Sequence, residues 1–172
     1  YAVLAPLASD VHVYSGQIVR MYLGDGIDEL VGEVIRNYRS GTQGVRALFQ
    51  VMDMSKKDER LKGYSGIFSS GKYAILVPYR NAYEPENGQR GHGMLTRLDM
   101  NDFDSSGVDF ADLTTTLRSQ IPSIADPDLR GFCCGFASGK YGVLVPFFNA
   151  DFNGKLARIQ VTLSQFGDLQ EM

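Results

Sequence analysis

The chain has 172 residues, 44% of them hydrophobic and 22% charged, which is enough to bury one core as a single domain. The formal net charge is −3 and the isoelectric point about 5.3, which excludes the basic field that binding to nucleic acid or an anionic membrane surface requires. The longest apolar run, Tyr1 to Ala8, is far short of a spanning helix and contains Pro6, so no membrane insertion is expected.

In chain order, the opening segment YAVLAPLASD (1–10) is a shortened form of a segment that returns twice. Segments 61–82 (LKGYSGIFSSGKYAILVPYRNA) and 129–150 (LRGFCCGFASGKYGVLVPFFNA) lie 68 residues apart without a gap and are identical at 12 of 22 positions. Tyr1, Tyr73 and Tyr141 correspond, as do Pro6, Pro78 and Pro146. The chain is therefore read as three repeats: 1–60, lacking its first strand; 61–128, complete; and 129–172, ending near its fourth strand.

Repeat one opens its third strand at Gly16, with Arg20 four residues later. Between Leu23 and Gly44 it departs from the other copies. Ile27, Leu30, Val31, Val34, Ile35 and Tyr38 recur at helical spacing, which predicts an amphipathic helix over 28–38. That helix either covers a sheet edge or docks a partner. Repeat one then closes on Asp53-Met54-Ser55.

In repeat two, residues 63–69 read as a short strand with Tyr64, Gly66 and Phe68 on one face. Ser70-Gly71 is expected to turn the chain into a second strand, 72–79, which is apolar at every position from Ala74 to Val77 and so covered on both faces. Pro78 ends that strand because it cannot donate to a ladder. After a variable loop, 92–100 is a third strand, with Met94, Thr96 and Leu98 alternating with Leu95, Arg97 and Asp99. A fourth follows at 107–114, where Asp112-Leu113-Thr114 matches Asp53-Met54-Ser55. Repeat three repeats the first strands and carries Gly154 and Arg158 at the places of Gly93 and Arg97. The predicted class is all-β and mainly antiparallel.

The unit of four strands, with its Gly-Lys-Tyr turn into an apolar strand and a later Gly-x-x-x-Arg, resembles a kelch-type β-propeller blade. It is most similar to an uncharacterised family of propeller-like repeats with the core Gly-Lys-Tyr-x-x-Leu-Val-Pro-Tyr/Phe followed by Gly-x-Leu-x-Arg. The resemblance implies stacked blades, and propellers close with about 4–8 of them. Fewer than three blades leave edges and faces open. The chain is accordingly expected to be part of something longer, to associate with copies of itself, or to pack against other protein subunits.

Several groups of residues stand out as candidate sites. Arg20, Arg97 and Arg158 recur, so they either face an anionic or sugar ligand or pair with an acidic residue such as Asp53 or Asp112 to fix register. Tyr79 with Asn81, and Phe147 with Asn149, leave the Val-Pro strands as aromatic–amide pairs, suited to gripping a carbohydrate or to capping turns. Cys133 and Cys134 are adjacent, hence expected on opposite faces as small buried filler, without a disulfide. That cysteine usage leans toward a reducing compartment. His12 and His92 make no metal pair, Asp99, Asp102 and Asp104 read as a solvated turn, and no cofactor is expected.

No catalytic signature is present, and the expected function is a non-catalytic structural or interaction module. A carbohydrate-binding module is the alternative, followed by a piece of a propeller hydrolase or lyase.

Overall fold

The computed structural model describes residues 1–10, 13–22, 49–81, 91–114, 129–148 and 154–161, and among these the chain is all-β. Repeat one contributes β1 (Ala2–Leu4), β2 (Ala8–Asp10), β3 (Val13–Tyr14), β4 (Gln17–Met21) and β5 (Phe49–Asp53). Repeat two contributes β6 (Tyr64–Ser70), β7 (Tyr73–Pro78), β8 (Met94–Asp99) and β9 (Val108–Asp112). Repeat three contributes β10 (Phe132–Ser138), β11 (Tyr141–Pro146) and β12 (Ala157–Gln160). Three sheets result, ordered β1-β4-β5, β6-β7-β8-β9 and β10-β11-β12, and β2 and β3 form a small separate hairpin. Every pairing is antiparallel. The helix expected over 28–38 lies outside the described residues, as do most of the loop after Tyr79 and the connector before Leu129.

The hairpins form where glycine permits them. Gly71 (φ 57°) and Gly139 (φ 60°) take the left-handed conformation a two-residue turn needs. The strand before the turn runs one residue further than expected, since Ser70 pairs with Tyr73 and the turn falls on Gly71-Lys72.

Strand β7 is covered on both faces, as its unbroken apolar run demands. Ala74 and Leu76 pack with Ile18, Met54 and Leu61 from the side of repeat one. Ile75 and Val77 pack with Phe132, Leu144 and Ile159 of repeat three. The sheet of repeat two is thus the middle layer of a stack. Each of the larger side chains among these, fully buried, contributes about 1.5–3 kcal/mol of transfer free energy.

One alternation differs from expectation. The pairing of β6 with β7 shifts between Tyr64 and Gly66, so Ser65 is an extra residue that re-phases the strand. Tyr64 therefore joins the core on the side of repeat one while Phe68 packs on the opposite side, against repeat three. The same shift recurs between Phe132 and Cys134 in β10.

Candidate functional site: the repeat junctions and the outer faces

The residues that recur in sequence gather where one repeat meets the next. Asp53 accepts hydrogen bonds at one carboxylate oxygen from the Ser55 N–H (3.1 Å) and Oγ (2.6 Å). Asp112 does the same for the Thr114 N–H (3.0 Å) and Oγ1 (2.7 Å). The Gly16 carbonyl accepts from the Met54 N–H (3.0 Å), and its counterpart Gly93 accepts from the Leu113 N–H (2.9 Å). Both glycines sit under the chain leading into the next repeat: an added Cβ would lie 2.8 Å from the Leu61 carbonyl at Gly16 and 2.7 Å from the Leu129 carbonyl at Gly93. Just beyond, Gly63 (φ 72°) and Gly131 (φ 70°) each accept two N–H groups, from Tyr79 and Arg80 and from Phe147 and Phe148. These carbonyl and carboxylate bonds brace each repeat from within, while the Gly63 N–H donating to Ser15 (3.2 Å), the Gly131 N–H donating to His92 (3.3 Å) and the close approach of Gly16 and Gly93 to the next repeat join neighbours.

The three arginines belong to the same construction. Arg20, Arg97 and Arg158 stack over Tyr1, Tyr73 and Tyr141, at 4.7, 4.3 and 4.9 Å from the ring centroids. Arg97 sits directly across from Ile75 and from Asp109 in the sheet, so Tyr73 is its diagonal neighbour. The acidic partner expected for it was Asp112; the structure gives Asp109 instead, 2.6 Å away, because only that carboxylate lies opposite in register. Arg20 likewise bonds its cross-strand neighbour Gln50, not Asp53, whose carboxylate is committed to Ser55. Both arginines also reach the following sheet: Arg20 donates to the Met100 carbonyl and Arg97 to that of Val161 (3.4 Å). Each acceptor lies three residues after the next repeat's own arginine. Arg97 is 2% exposed, whereas Arg158, at the end of the stack, is exposed.

The aromatic–amide pairs divide. Tyr79 and Phe147 come together, with ring centroids 6.2 Å apart and planes tilted by 40°. The Arg80 guanidinium lies between Tyr79 (4.9 Å) and Phe148 (5.0 Å). Asn81 is buried and its Nδ2 donates to the Arg60 carbonyl (2.9 Å), so its amide holds the entry to repeat two. Asn149 lies outside the described residues.

His92 is a junction residue that its place at the opening of the predicted third strand did not reveal. Nδ1 lies 3.3 Å from the Met94 N–H, and Nε2 lies 3.1 Å from the Gly63 carbonyl and 3.2 Å from the Tyr79 N–H, so the ring accepts at one nitrogen and its partner at Nε2 follows the tautomer. Its ring meets Tyr64 edge-on at 5.4 Å, and Tyr64 in turn bonds Thr96 through its hydroxyl (2.6 Å). Burial pushes the His92 pKa down to about 4, with Asp112 opposing, and pushes the Tyr64 phenol well up.

The cysteines also differ from expectation. Cys133 is the extra residue of the β10 irregularity, which breaks the alternation of faces and brings the two Sγ atoms to 3.0 Å. Neither is buried filler: Cys134 is exposed and Cys133 partly so. Partial burial and the neighbouring sulfur raise the Cys133 pKa to about 11, holding it as a thiol. The acidic turn behaves as a turn, with Asp99 paired to Lys72 (2.6 Å) and Asp102 and Asp104 bonded to Ser106. Among the described residues no group of His, Cys, Asp or Glu is placed to hold a metal, and no helix is long and apolar enough to cross a membrane.

The two outer faces of the stack expose what the middle buries. Leu95 is fully buried, but its counterpart Leu156 in repeat three is 66% exposed. Leu76 is fully buried, but its counterpart Leu4 in repeat one is 57% exposed. Phe136, the copy of Phe68, is 53% exposed, and Val51, the copy of Phe110, is 62% exposed. These pairs have the same place in the repeat and differ only in whether another sheet lies beyond. The chain matches no protein-family model, no curated protein and no solved structure.

Proposed function

We propose that this chain is a non-catalytic β-repeat module that works by presenting sheet faces to other protein subunits, in a propeller-like manner. The observation that carries this reading is the exposure of apolar side chains on both outer faces, Leu4 with Val51 on one and Phe136 with Leu156 on the other, at positions whose copies in repeat two are fully buried (Leu76, Leu95) or partly buried against the core (Phe110, Phe68). Exposed apolar side chains gathered on one face of a sheet mark an interaction surface. The recurring polar groups support the same reading. Arg20, Arg97, Asn81 and His92 hold one part of the chain to another, and Asp53 and Asp112 cap the turns that follow their strands. A carbohydrate site built on Tyr79 and Asn81 is less well supported, since the Asn81 amide is turned inward to Arg60.

Sedimentation of the wild-type chain over a wide concentration range tests the proposal. The expected result is a mass above the 19.0 kDa of one chain, increasing with concentration. A monomer at every concentration would contradict it.

A further inference from the structure

We propose that the two outer faces are the two halves of one junction: the open face of repeat three in one copy seats on the open face of repeat one in a second copy, head to tail. This rests on the reading of the chain as an interaction module and names its partner.

The chain already makes this junction twice, and the open ends carry its halves separately. On the forward side of a repeat the recurring elements are a leucine or isoleucine, the arginine two residues later, and the tyrosine beneath that arginine. In repeat one these are Ile18, Arg20 and Tyr1, and in repeat two Leu95, Arg97 and Tyr73. Ile18 and Leu95 are fully buried, and both arginines donate to a carbonyl of the following sheet. Repeat three presents the same set as Leu156, Arg158 and Tyr141. There the leucine is exposed, and the arginine already stands over its tyrosine in the pose that its copies use to reach forward. On the rear side the recurring apolar residues are Leu76 with Val108 and Phe110 in repeat two, packed against repeat one. Repeat one presents the same set, uncovered, as Leu4 with Phe49 and Val51.

Side-chain size fits as well. Phe68 of repeat two enters the sheet of repeat three where Gly135 and Gly142 make room, since a Cβ added there would come within 2.7 and 2.9 Å of its ring. Repeat two receives no such phenylalanine from the three-stranded sheet of repeat one, and it carries Ile67 and Ala74 at those two positions. Phe136 is the ring that repeat three offers forward. On the rear face of repeat one the place of Gly142 is taken by Ala2, on β1, which is the edge strand of its sheet. A small residue beside an open edge leaves space for that ring. Among the described residues no further strand lies beside β1, and an edge of that kind offers backbone groups to an incoming chain. A contact between two different faces is heterologous, so it closes a ring or continues as a filament.

Complementary variants test the pairing. Leu4→Asp spoils only the rear face and Phe136→Asp only the forward face, with Leu4→Ser and Phe136→Ser as milder partners should a charge disturb folding. Far-ultraviolet circular dichroism reports whether each variant keeps its β structure. Each variant alone is expected to sediment as the 19.0 kDa chain, and an equimolar mixture as a pair of about 38 kDa, two chains of 19.0 kDa, because one intact face of each kind remains. Folded variants that associate like the wild type, or a mixture that stays at 19.0 kDa, would overturn the head-to-tail pairing. The outcomes separate the two proposals. A wild-type chain that associates while the variants make no difference leaves the interaction module standing and removes the pairing. A wild-type monomer removes both.

Discussion

Arg97 and His92 show how single side chains serve the stack. Arg97 places a guanidinium in the interior, and its desolvation is offset by the Asp109 carboxylate, the Val161 carbonyl and the face of Tyr73. Its recurrence was legible in the sequence, and so was the choice between ligand and register. Its partner was not, because which carboxylate stands opposite depends on the length of the turn between β8 and β9. His92 was legible only as the residue that opens the third strand. Its importance comes from contacts with Gly63 and Tyr64, nearly thirty positions away in the chain.

His92 makes a clear pH prediction. Its folded pKa is lowered to about 4 from an ordinary 6.5. Above pH 6.5 the ring is neutral in both the folded and unfolded chain, so it adds no pH dependence. As the pH falls from 6.5 toward 4 the unfolded chain takes up a proton that the folded chain refuses, and stability drops by about 3 kcal/mol in total. Urea titrations at pH 7.5 and pH 4.5 should show this loss in the wild type. In His92→Gln the difference between the two pH values should shrink by most of that amount, and an unchanged difference would exclude His92 as its source.

At the scale of elements, the apolar run of β7 announced its two covered faces, and Gly71 and Gly139 announced their hairpins. The irregularities at Ser65 and Cys133 escaped because an extra residue in one strand leaves no mark on the sequence pattern. It shows only when the partner strand is counted against it. That one displacement moved Phe68 to the opposite face from Tyr64 and brought two sulfurs together. The helix expected over 28–38 lies outside the described residues. The match between Asp53-Met54-Ser55 and Asp112-Leu113-Thr114 was visible in the sequence, but its physical content, a carboxylate holding the N–H and hydroxyl two residues on, needed geometry. Asp53→Ala and Asp112→Ala should each destabilise the chain by about 1 kcal/mol, the usual cost of losing such a cap. The two losses should add when the variants are combined, since the junctions are separate. Thermal melts of the three variants check this, and a negligible effect of Asp112→Ala would show that the repeated cap is not structural.

For the whole molecule, the sequence disclosed the repeat and its period, because copies of one unit must reuse the same turn glycines and buried residues to build the same sheet. It did not disclose that the recurring Arg20 and Arg97 bind one repeat to the next. That property belongs to the stacked arrangement and cannot be read from one copy. Stacking also explains why equivalent residues meet such different fates: Leu95 and Leu156 differ in exposure only because a sheet covers the first. If the exposed ends are halves of the junction already used inside the chain, position 136 of one copy must lie against β1 of another. A photo-activated benzophenone side chain placed at Phe136 tests this most directly, with the linked peptides identified by mass spectrometry. The account predicts cross-links between copies that fall on the opening strand around Ala2 and Leu4; cross-links confined to one chain, or reaching a second copy anywhere else, would contradict it.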